Sequence, residues 1–347
     1  MKTVKLLVGL STLASALFVT QPARAWGEFG HLTVCDLAYR NLTDASKAEL
    51  KLLFNKAGGG IDIPGSADNE PRHYTSFNVG CLEEDSRPKK HPKDHFINVD
   101  RSTAAIIDNS CPLSPATGQP LQCIFEGIDR DIAILKDQAK SRQQRVIALM
   151  AIGHWVGDLH QPLHISYADD AGGNEISVSY RGFCGTTATG TSYRPKNLHA
   201  IWDNCLLERG LFQRVRERAD YKTTWSRRTI TYRAVDTLLA NTSLDEEKAV
   251  VTGSPWQWAE ESYEITRQPG TKYCVMNGAD CQYSASKAKF ADGDINRKEV
   301  IDAAYVTTFT DIAQDRVRKA GFRLAHLLNQ ALDPAYVEPI KNSGQLH

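Results

Sequence analysis

The sequence predicts an all-α protein, a single mainly helical domain with long disulfide-linked loops and at most a small β-hairpin. Three observations carry this. Apolar residues recur at the helical period along most of the chain; only Ile176 to Tyr180 alternates with period two; and the stretches from about 60 to 125 and from 268 to 296 are rich in Pro, Gly, Asp and Cys, as loops over a helical scaffold are.

The first feature in chain order lies outside the fold. Lys2 and Lys5 precede an apolar run from Leu6 to Thr20, and Ala23-Arg24-Ala25 forms a small-residue cleavage site, so residues 1–25 read as a secretory signal removed between Ala25 and Trp26. The protein is then expected in the periplasm or outside the cell. The apolar run is too short and too rich in Ser, Thr and Gly to span a membrane, and no other segment reaches the roughly 20 apolar residues a span requires. Residues 26–347 contain no internal repeat and no low-complexity linker, which favours one domain.

Helices are expected over 29–40 and then 44–56, the latter with Thr43 as N-cap and Gly58-Gly59-Gly60 as its stop. The same spacing continues through 126–139, 142–159, 197–218, 222–241, 255–267 and 298–332. The strand at 176–180 is expected to pair with a partner near 187–193.

Composition narrows the function classes. The chain has 41 basic and 41 acidic residues; the leader takes Lys2, Lys5 and Arg24 and no acid, leaving 38 basic against 41 acidic, a net charge near −3. That argues against a broad basic face for nucleic acid, though not against local positive potential. Eight cysteines, with no CxxC pair, suit an oxidising compartment and make a sulfur-ligated zinc site improbable. Local pairing suggests Cys111 with Cys123, Cys274 with Cys281 and Cys184 with Cys205, while Cys35 and Cys81 are equally readable as a fourth pair or as free buried thiols.

The chemistry-bearing residues are five histidines and three aspartates with ligand spacing. HWVGDLHQPLH carries His154, Asp158 and His164, and NLHAIWDN repeats the His-x-x-x-Asp spacing with His199 and Asp203. Residues four apart share a helix face, so each pair can offer an imidazole nitrogen and a carboxylate oxygen to one point. A single such pair is more often a surface hydrogen bond. Two copies among apolar neighbours, where unpaired ionisable groups are costly, point to metal. A processed N-terminus at Trp26 adds a free α-amine and its carbonyl oxygen as a chelate, with His31 five positions on. Asp68 in SADNEPRHY and His95 in KDHFINVD complete the set; alone, the first reads as a turn residue and the second as a packed core histidine.

In order along the chain, WGEFGH, an Ala-Asp element followed by Arg72, an HF element, GHWVGDLHQPLH with AGGN, and NLHAIWDN resemble the zinc-dependent S1/P1 nuclease family. A weaker likeness continues in WAEES (258–262) and AGFRLAHLLN (320–329). The resemblance implies an all-α domain of the phospholipase C and P1 nuclease type holding three Zn²⁺ ions. Carried over, Asp68, His95, His154 and Asp158 hold one zinc, His164, His199 and Asp203 a second, and Trp26, His31 and Asp158 a third, with Asp158 bridging two metals. His160 is not a ligand and either supports one or is structural, and His73, His91, His326 and His347 have no assigned metal role.

The implied chemistry is hydrolysis of single-stranded DNA and RNA to 5′-phosphorylated products, with 3′-nucleotidase activity. A hydroxide bridging two zincs about 3.5–4 Å apart attacks phosphorus in line. Asp68 orients the attacking water, while Arg72 and Asn204 hold phosphate oxygens. Phe96 resembles a stacking platform for an unpaired base, against the plainer reading of a core aromatic. Asn98 stands where many members have an acid that contacts the base, and Arg72 lies one residue later than in the commoner Ala-Asp-x-x-Arg pattern. Substrates are thus single strands and 3′-nucleotides, and nothing in the sequence points to a protein partner. Two alternatives are a zinc-dependent phospholipase C, whose first His lies much further from the N-terminal Trp, and a structural zinc protein, which is poorly served by a second site with only three protein ligands.

Overall fold

The structure is a computed structural model that describes residues 26–54, 59–64, 71–86, 88–114, 116–182, 184, 193–240, 242–274, 276–277, 280–281 and 298–338. The expected leader, residues 1–25, and Asp68 lie outside them. Helices dominate, as the periodicity predicts. In chain order these are α1 (Glu28–Arg40), α2 (Asp44–Phe54), α3 (Phe77–Gly80), α4 (Ile124–Lys136), α5 (Arg142–Leu159), α6 (Leu198–Ala200), α7 (Gln213–Arg216), α8 (Arg227–Ala240), α9 (Leu244–Val250), α10 (Pro255–Arg267) and α11 (Ala303–Leu332). Among the described residues no helix is long and apolar enough to cross a membrane.

Local chemistry sets several boundaries. Thr43 Oγ1 accepts from Ser46 N, the cap expected before α2. A reciprocal capping box of Ser141 and Gln144 opens α5, and another of Ser243 and Glu246 opens α9. Pro255 at the first turn of α10 has no N–H to lose there. Helix α9 was not among the expected helices, because its seven residues hold too few apolar positions to establish a period.

Short strands form four two-stranded pairs, more than the single hairpin expected. β1 (Ile61–Ile63) and β2 (Arg72–Tyr74) are antiparallel, and β3 (Ile97–Val99) and β4 (Ile165–Tyr167) are parallel. β5 (Ser177–Ser179) pairs in parallel with β8 (Lys298–Val300), and β6 (Met276–Asn277) is antiparallel to β7 (Asp280–Cys281). The partner of β5 is therefore β8, taken from the start of what the sequence suggested was one helix over 298–332. Most of the alternative partner segment, 187–193, lies outside the described residues. The β3–β4 pair matters most, since it brings the segment after His95 beside the segment after His164.

Helix α5 is the axis of the core. Fourteen of its residues are buried, and it packs against α1, α4 and α11. Cys35 of α1 is disulfide-bonded to Cys81, and Gly153 of α5 lies against that bridge: a Cβ there would stand 2.5 Å from Cys81 Sγ and 2.8 Å from Cys35 Sγ. The bridges Cys111–Cys123 and Cys184–Cys205 also form as expected. Cys274 is disulfide-bonded too, while the side chain of its expected partner, Cys281, lies outside the description.

A buried polar network fixes the turn that follows α5. Arg316 of α11, 1% exposed, donates from Nε to His160 O at 3.3 Å and from Nη2 to Trp258 O at 2.9 Å and Ser262 Oγ at 2.7 Å. Arg323 Nη1 donates to His160 Nε2 at 2.9 Å, and both guanidinium groups bind Glu261. Burial alone would raise the Glu261 carboxyl, but the two arginines hold it down at about 2. Ser262 Oγ donates to Leu159 O, and Thr266 Oγ1 to Pro162 O. The WAEES segment thus works by clamping residues 159–162.

Replacing Gly153 with Ala should cost about 1–3 kcal/mol, because the added methyl must displace a disulfide rather than a flexible chain end. Chemical denaturation of the variant and the parent under oxidising conditions measures this, and a change below 0.5 kcal/mol, on the order of a surface substitution, would show that the packing there is loose.

Candidate metal centre

Four segments bring their side chains to one buried point. Helix α1 supplies His31, the turn after α3 supplies Asp85 and Lys89, the segment before β3 supplies His95, and α5 supplies His154 and Asp158. The two helices can meet because Gly157 of α5 has no side chain: a Cβ there would stand 2.8 Å from His31 Nδ1. The imidazoles of His31 and His154 stack with centroids 3.9 Å apart.

Asp158 lies at the middle of this group and is fully buried. Its Oδ1 is 3.2 Å from His31 Nε2, and its Oδ2 is 2.9 Å from His95 Nδ1 and 3.4 Å from His154 Nε2. The His31–Asp158 pair is close but not aligned, so Asp158 Oδ1 and both ring nitrogens of His31 are buried without a hydrogen-bond partner. Asp85 Oδ1 lies 3.8 Å from His154 Nε2. Lys89 Nζ is 2.9 Å from Asp85 Oδ1 and 3.3 and 3.4 Å from the two ring nitrogens of His95.

A second group assembles from the turn after α5 and from the helical run that begins with α6. His164 and His199 face each other with Nε2 atoms 3.1 Å apart, and Asp203 Oδ1 is 3.5 Å from His199 Nε2 and 4.0 Å from His164 Nε2. The His-x-x-x-Asp spacing holds here, but Ile201–Cys205 is a π-helical turn rather than α-helix. Across the described residues, His31 with Asp85 and His154, His95 with His154 and Asp158, and His164 with His199 and Asp203 each gather ligand atoms within 4.8 Å.

Three of the histidines are aimed by their other nitrogen. His154 Nδ1 donates to Cys81 O at 2.8 Å, His164 Nδ1 to His95 O at 2.5 Å and His199 Nδ1 to Gly172 O at 2.6 Å, which leaves the Nε2 of these three facing the cluster. Gly172 and Gly173 of the AGGN segment have φ of +66° and +77°, a backbone that presents this carbonyl and that other residues rarely adopt. Gln161 of HQPLH donates from Nε2 to Asp203 Oδ1 at 2.6 Å.

Electrostatics follow from burial. It lowers His31 and His199 to about 4, brings His95 and His164 well below the ordinary histidine range, and lowers His154. It also raises Asp158 and Asp203 well above the carboxylate range. Asp85 behaves oppositely: burial pushes it up, but its electrostatic interactions with His154, Lys89 and His31 bring it down to about 2. Neutral imidazoles beside carboxylates in a dry pocket are a donor set for a hard or borderline cation.

Of the residues expected from sequence, His31, His95, His154, Asp158, His164, His199 and Asp203 come together. Trp26 is fully buried beside them, and Gly27 N donates to Asp203 O at 2.7 Å. Asn204 packs directly over Gly27, where a Cβ would meet Asn204 Oδ1 at 2.2 Å. Arg72 does not reach the cluster; its Nη1 binds Glu83 Oε2 at 3.1 Å, and Tyr74 donates to the same carboxylate. Phe96 is half-buried and outside the hydrophobic core, with Lys93 Nζ 5.9 Å from its ring centroid, and Asn98 in β3 accepts from Ser166 Oγ at 3.4 Å. Sequence reasoning missed Asp85, Lys89 and Gln161. Asp85 sits in an acidic run that reads as solvated surface, although it lies only ten residues before His95, much nearer than Asp68.

The chain matches the S1/P1 Nuclease family over residues 26–333. It is 27% identical over 200 residues to Endonuclease 2 of Arabidopsis thaliana, covering 55% of this chain and 59% of that protein. Endonuclease 1 of the same plant is 23% identical over 334 residues, covering 94% and 92%. Nuclease S1 of Aspergillus oryzae is 26% identical over 199 residues, covering 56% and 59%.

Asp85→Asn should lower the metal content of the purified protein, whereas Asp68→Asn should not; elemental analysis of both decides which aspartate is the ligand. Gln161→Ala should weaken metal binding by roughly 10–100-fold, the usual cost of losing a group that orients a ligand. An unchanged affinity, measured by competition with a chromogenic chelator, would remove Gln161 from the centre.

Proposed function

The chain belongs to the S1/P1 nuclease family, and from that membership we propose that it is a secreted zinc-dependent endonuclease. It hydrolyses phosphodiester bonds of single-stranded DNA and RNA to 5′-phosphorylated products and acts on 3′-nucleotides. The observation that carries this reading is the set of buried, unpartnered donor atoms, His31 Nδ1 and Nε2 and Asp158 Oδ1, among imidazoles that burial keeps neutral. Such atoms are costly unless a cation completes them, and nitrogen with carboxylate oxygen suits zinc.

Three zinc ions would be held by Asp85, His95, His154 and Asp158, by His164, His199 and Asp203, and by His31, Asp158 and the α-amine and carbonyl of Trp26. Asp85 replaces Asp68, which the sequence suggested for the first of these. Zinc bound in these sites would polarise a phosphoryl oxygen and acidify water to a pKa of about 7.

The chain's own residues orient the substrate. Lys89 brings a positive charge beside Asp85 and His95, where it would offset charge developing on phosphate oxygens, the part first given to Arg72. Asn204, held over Gly27, adds a carboxamide on the side of His199 and Asp203. Phe96 lies outside the core with a half-buried ring next to His95, which supports a stacking role for it, and Asn98 two residues on suits contact with a base edge. A base already paired and stacked in a duplex could not reach that ring, which accounts for single-strand preference. Disulfides such as Cys35–Cys81 require an oxidising compartment and so support secretion.

Zinc analysis of the processed protein, with digestion of single- and double-stranded DNA before and after chelation, tests the proposal. The expected result is about three zinc ions per chain, from the three ligand groups, and single-strand cleavage that chelation abolishes; cleavage that survives chelation would reject it. Asp158→Asn should cost more activity than Asp203→Asn, because Asp158 serves two sites, and equal losses would argue against the shared role. Phe96→Ala should weaken oligonucleotide binding by about 1–3 kcal/mol with metal content intact. If thermal unfolding instead shows a loss of about 3–5 kcal/mol with affinity unchanged, Phe96 is a core residue.

A further inference from the structure

A cleft of about 700 Å³ lies between α1, the residues of α3 and the turn after it, and α8. Leu32 of α1 and Leu82 form part of its floor. Tyr39, Val79 and Tyr232, which are 39%, 41% and 52% exposed, line it as well. These are three of the ten large hydrophobic side chains that stay exposed among the described residues, so exposed apolar surface is concentrated here.

The Tyr232 ring is held in place. Arg40 lies over it, with its guanidinium carbon 3.8 Å from the ring centroid. That guanidinium is itself fixed by Asp36 and Asp236 and donates to Tyr232 O at 2.8 Å. Tyr232 as a whole nonetheless remains half exposed. The lining holds four basic residues, Arg40, Lys47, Arg227 and Arg228, against the carboxylates of Glu28 and Asp36. Arg40 and Arg227 are spent on ion pairs with acids and Lys47 donates to Arg40 O at 3.1 Å, whereas Arg228, whose charge acts against burial to lower the Asp36 carboxyl, makes no ion pair within 4.0 Å among the described residues. An immobilised aromatic ring beside an arginine free of a close ion pair fits a nucleobase with its phosphate, and fits an acidic peptide less well because a carboxylate does not stack on tyrosine.

We propose that this cleft binds a second nucleotide of the single strand whose scissile phosphate lies at the metal centre, with Tyr232 stacking the base and Arg228 contacting the phosphate. The inference rests on the nuclease reading of the centre. The two places share their elements: Leu32 adjoins His31 on α1, and Leu82 lies three residues from Asp85, so their Cα atoms are at most about 11 Å apart. The cleft and the metal centre are thus near neighbours along α1 and along the turn after α3.

The test uses the processed, zinc-loaded protein with two substrates, a 3′-mononucleotide and a single strand of about 12 nucleotides, and adds fluorescence anisotropy of a labelled strand with a hydrolysis-resistant backbone. In Tyr232→Ala the ratio of oligonucleotide KM to mononucleotide KM should rise about fivefold or more, and Tyr232→Phe, which keeps the ring, should restore it. Arg228→Glu should reduce the salt dependence of labelled-strand binding by about one unit of log–log slope. An unchanged ratio in Tyr232→Ala together with an unchanged salt slope in Arg228→Glu would overturn the cleft while leaving the proposed function intact. If the parent protein cleaves neither substrate, the functional reading fails, and the labelled-strand measurements on the same variants still decide whether the cleft binds. Binding of an acidic peptide that competes with the labelled strand, with no effect of Tyr232→Ala on either, would also reject the assignment.

Discussion

Asp158 is a carboxylate with no access to water, surrounded by three imidazoles that burial keeps from charging. Taking such a group out of solvent is costly, and only a compensating positive charge makes the arrangement tolerable. Much of the surrounding structure can be understood as a means of holding it there. The glycine at 157 lets α1 bring His31 alongside, the Cys35–Cys81 bridge fixes the segment whose carbonyl orients His154, and the β3–β4 pair carries His95 and His164 to the same side.

The same logic explains the polar groups around the cluster. Three imidazoles spend one nitrogen on a backbone carbonyl, so their orientation depends on the local path of the chain rather than on other side chains. The turn from Leu159 to Pro162, which separates Asp158 from His164, would be loose by itself. Arg316, Ser262 and Thr266 bind its carbonyls, and Arg323 binds the ring of His160. The buried arginines tolerate their position because Glu261 stays ionised between them. A histidine with no place in the ligand set is thereby part of what keeps the ligands apart at the right distance.

Much of this was legible in the sequence, for identifiable reasons. The span 142–159 coincides with α5 because apolar residues recur along it at the helical period, and a capping box of Ser141 and Gln144 closes its start in the structure. Seven of the eight histidine and aspartate ligands suggested by spacing meet in space, since helical period and chain order suffice to place them. What was not legible depended on tertiary contact. Asp85 is set apart from its acidic neighbours only by lying next to His154, and Arg72 is drawn away by Glu83, a partner eleven residues on. β8 looked like the start of α11 because a three-residue strand is too short to show a period and is defined by pairing with β5. The π-helical turn at 201–205 likewise leaves the spacing of His199 and Asp203 unchanged and so leaves no trace in it.

The glycines of α5 also bear on when the centre comes into being. Gly153 and Gly157 each weaken an isolated helix by about 1 kcal/mol relative to alanine, so the segment that carries His154 and Asp158 has little tendency to form before its neighbours arrive. Those neighbours are remote in sequence: His31 is 127 positions earlier and Asp203 is 45 later than Asp158. The ligand set can therefore close only when segments remote in sequence have come together. A chain still emerging or only partly folded offers metal no high-affinity site. If the cluster holds metal as proposed, acquisition of the ions would mark completed tertiary structure, and a chain misassembled around its disulfides would reveal itself by failing to retain them.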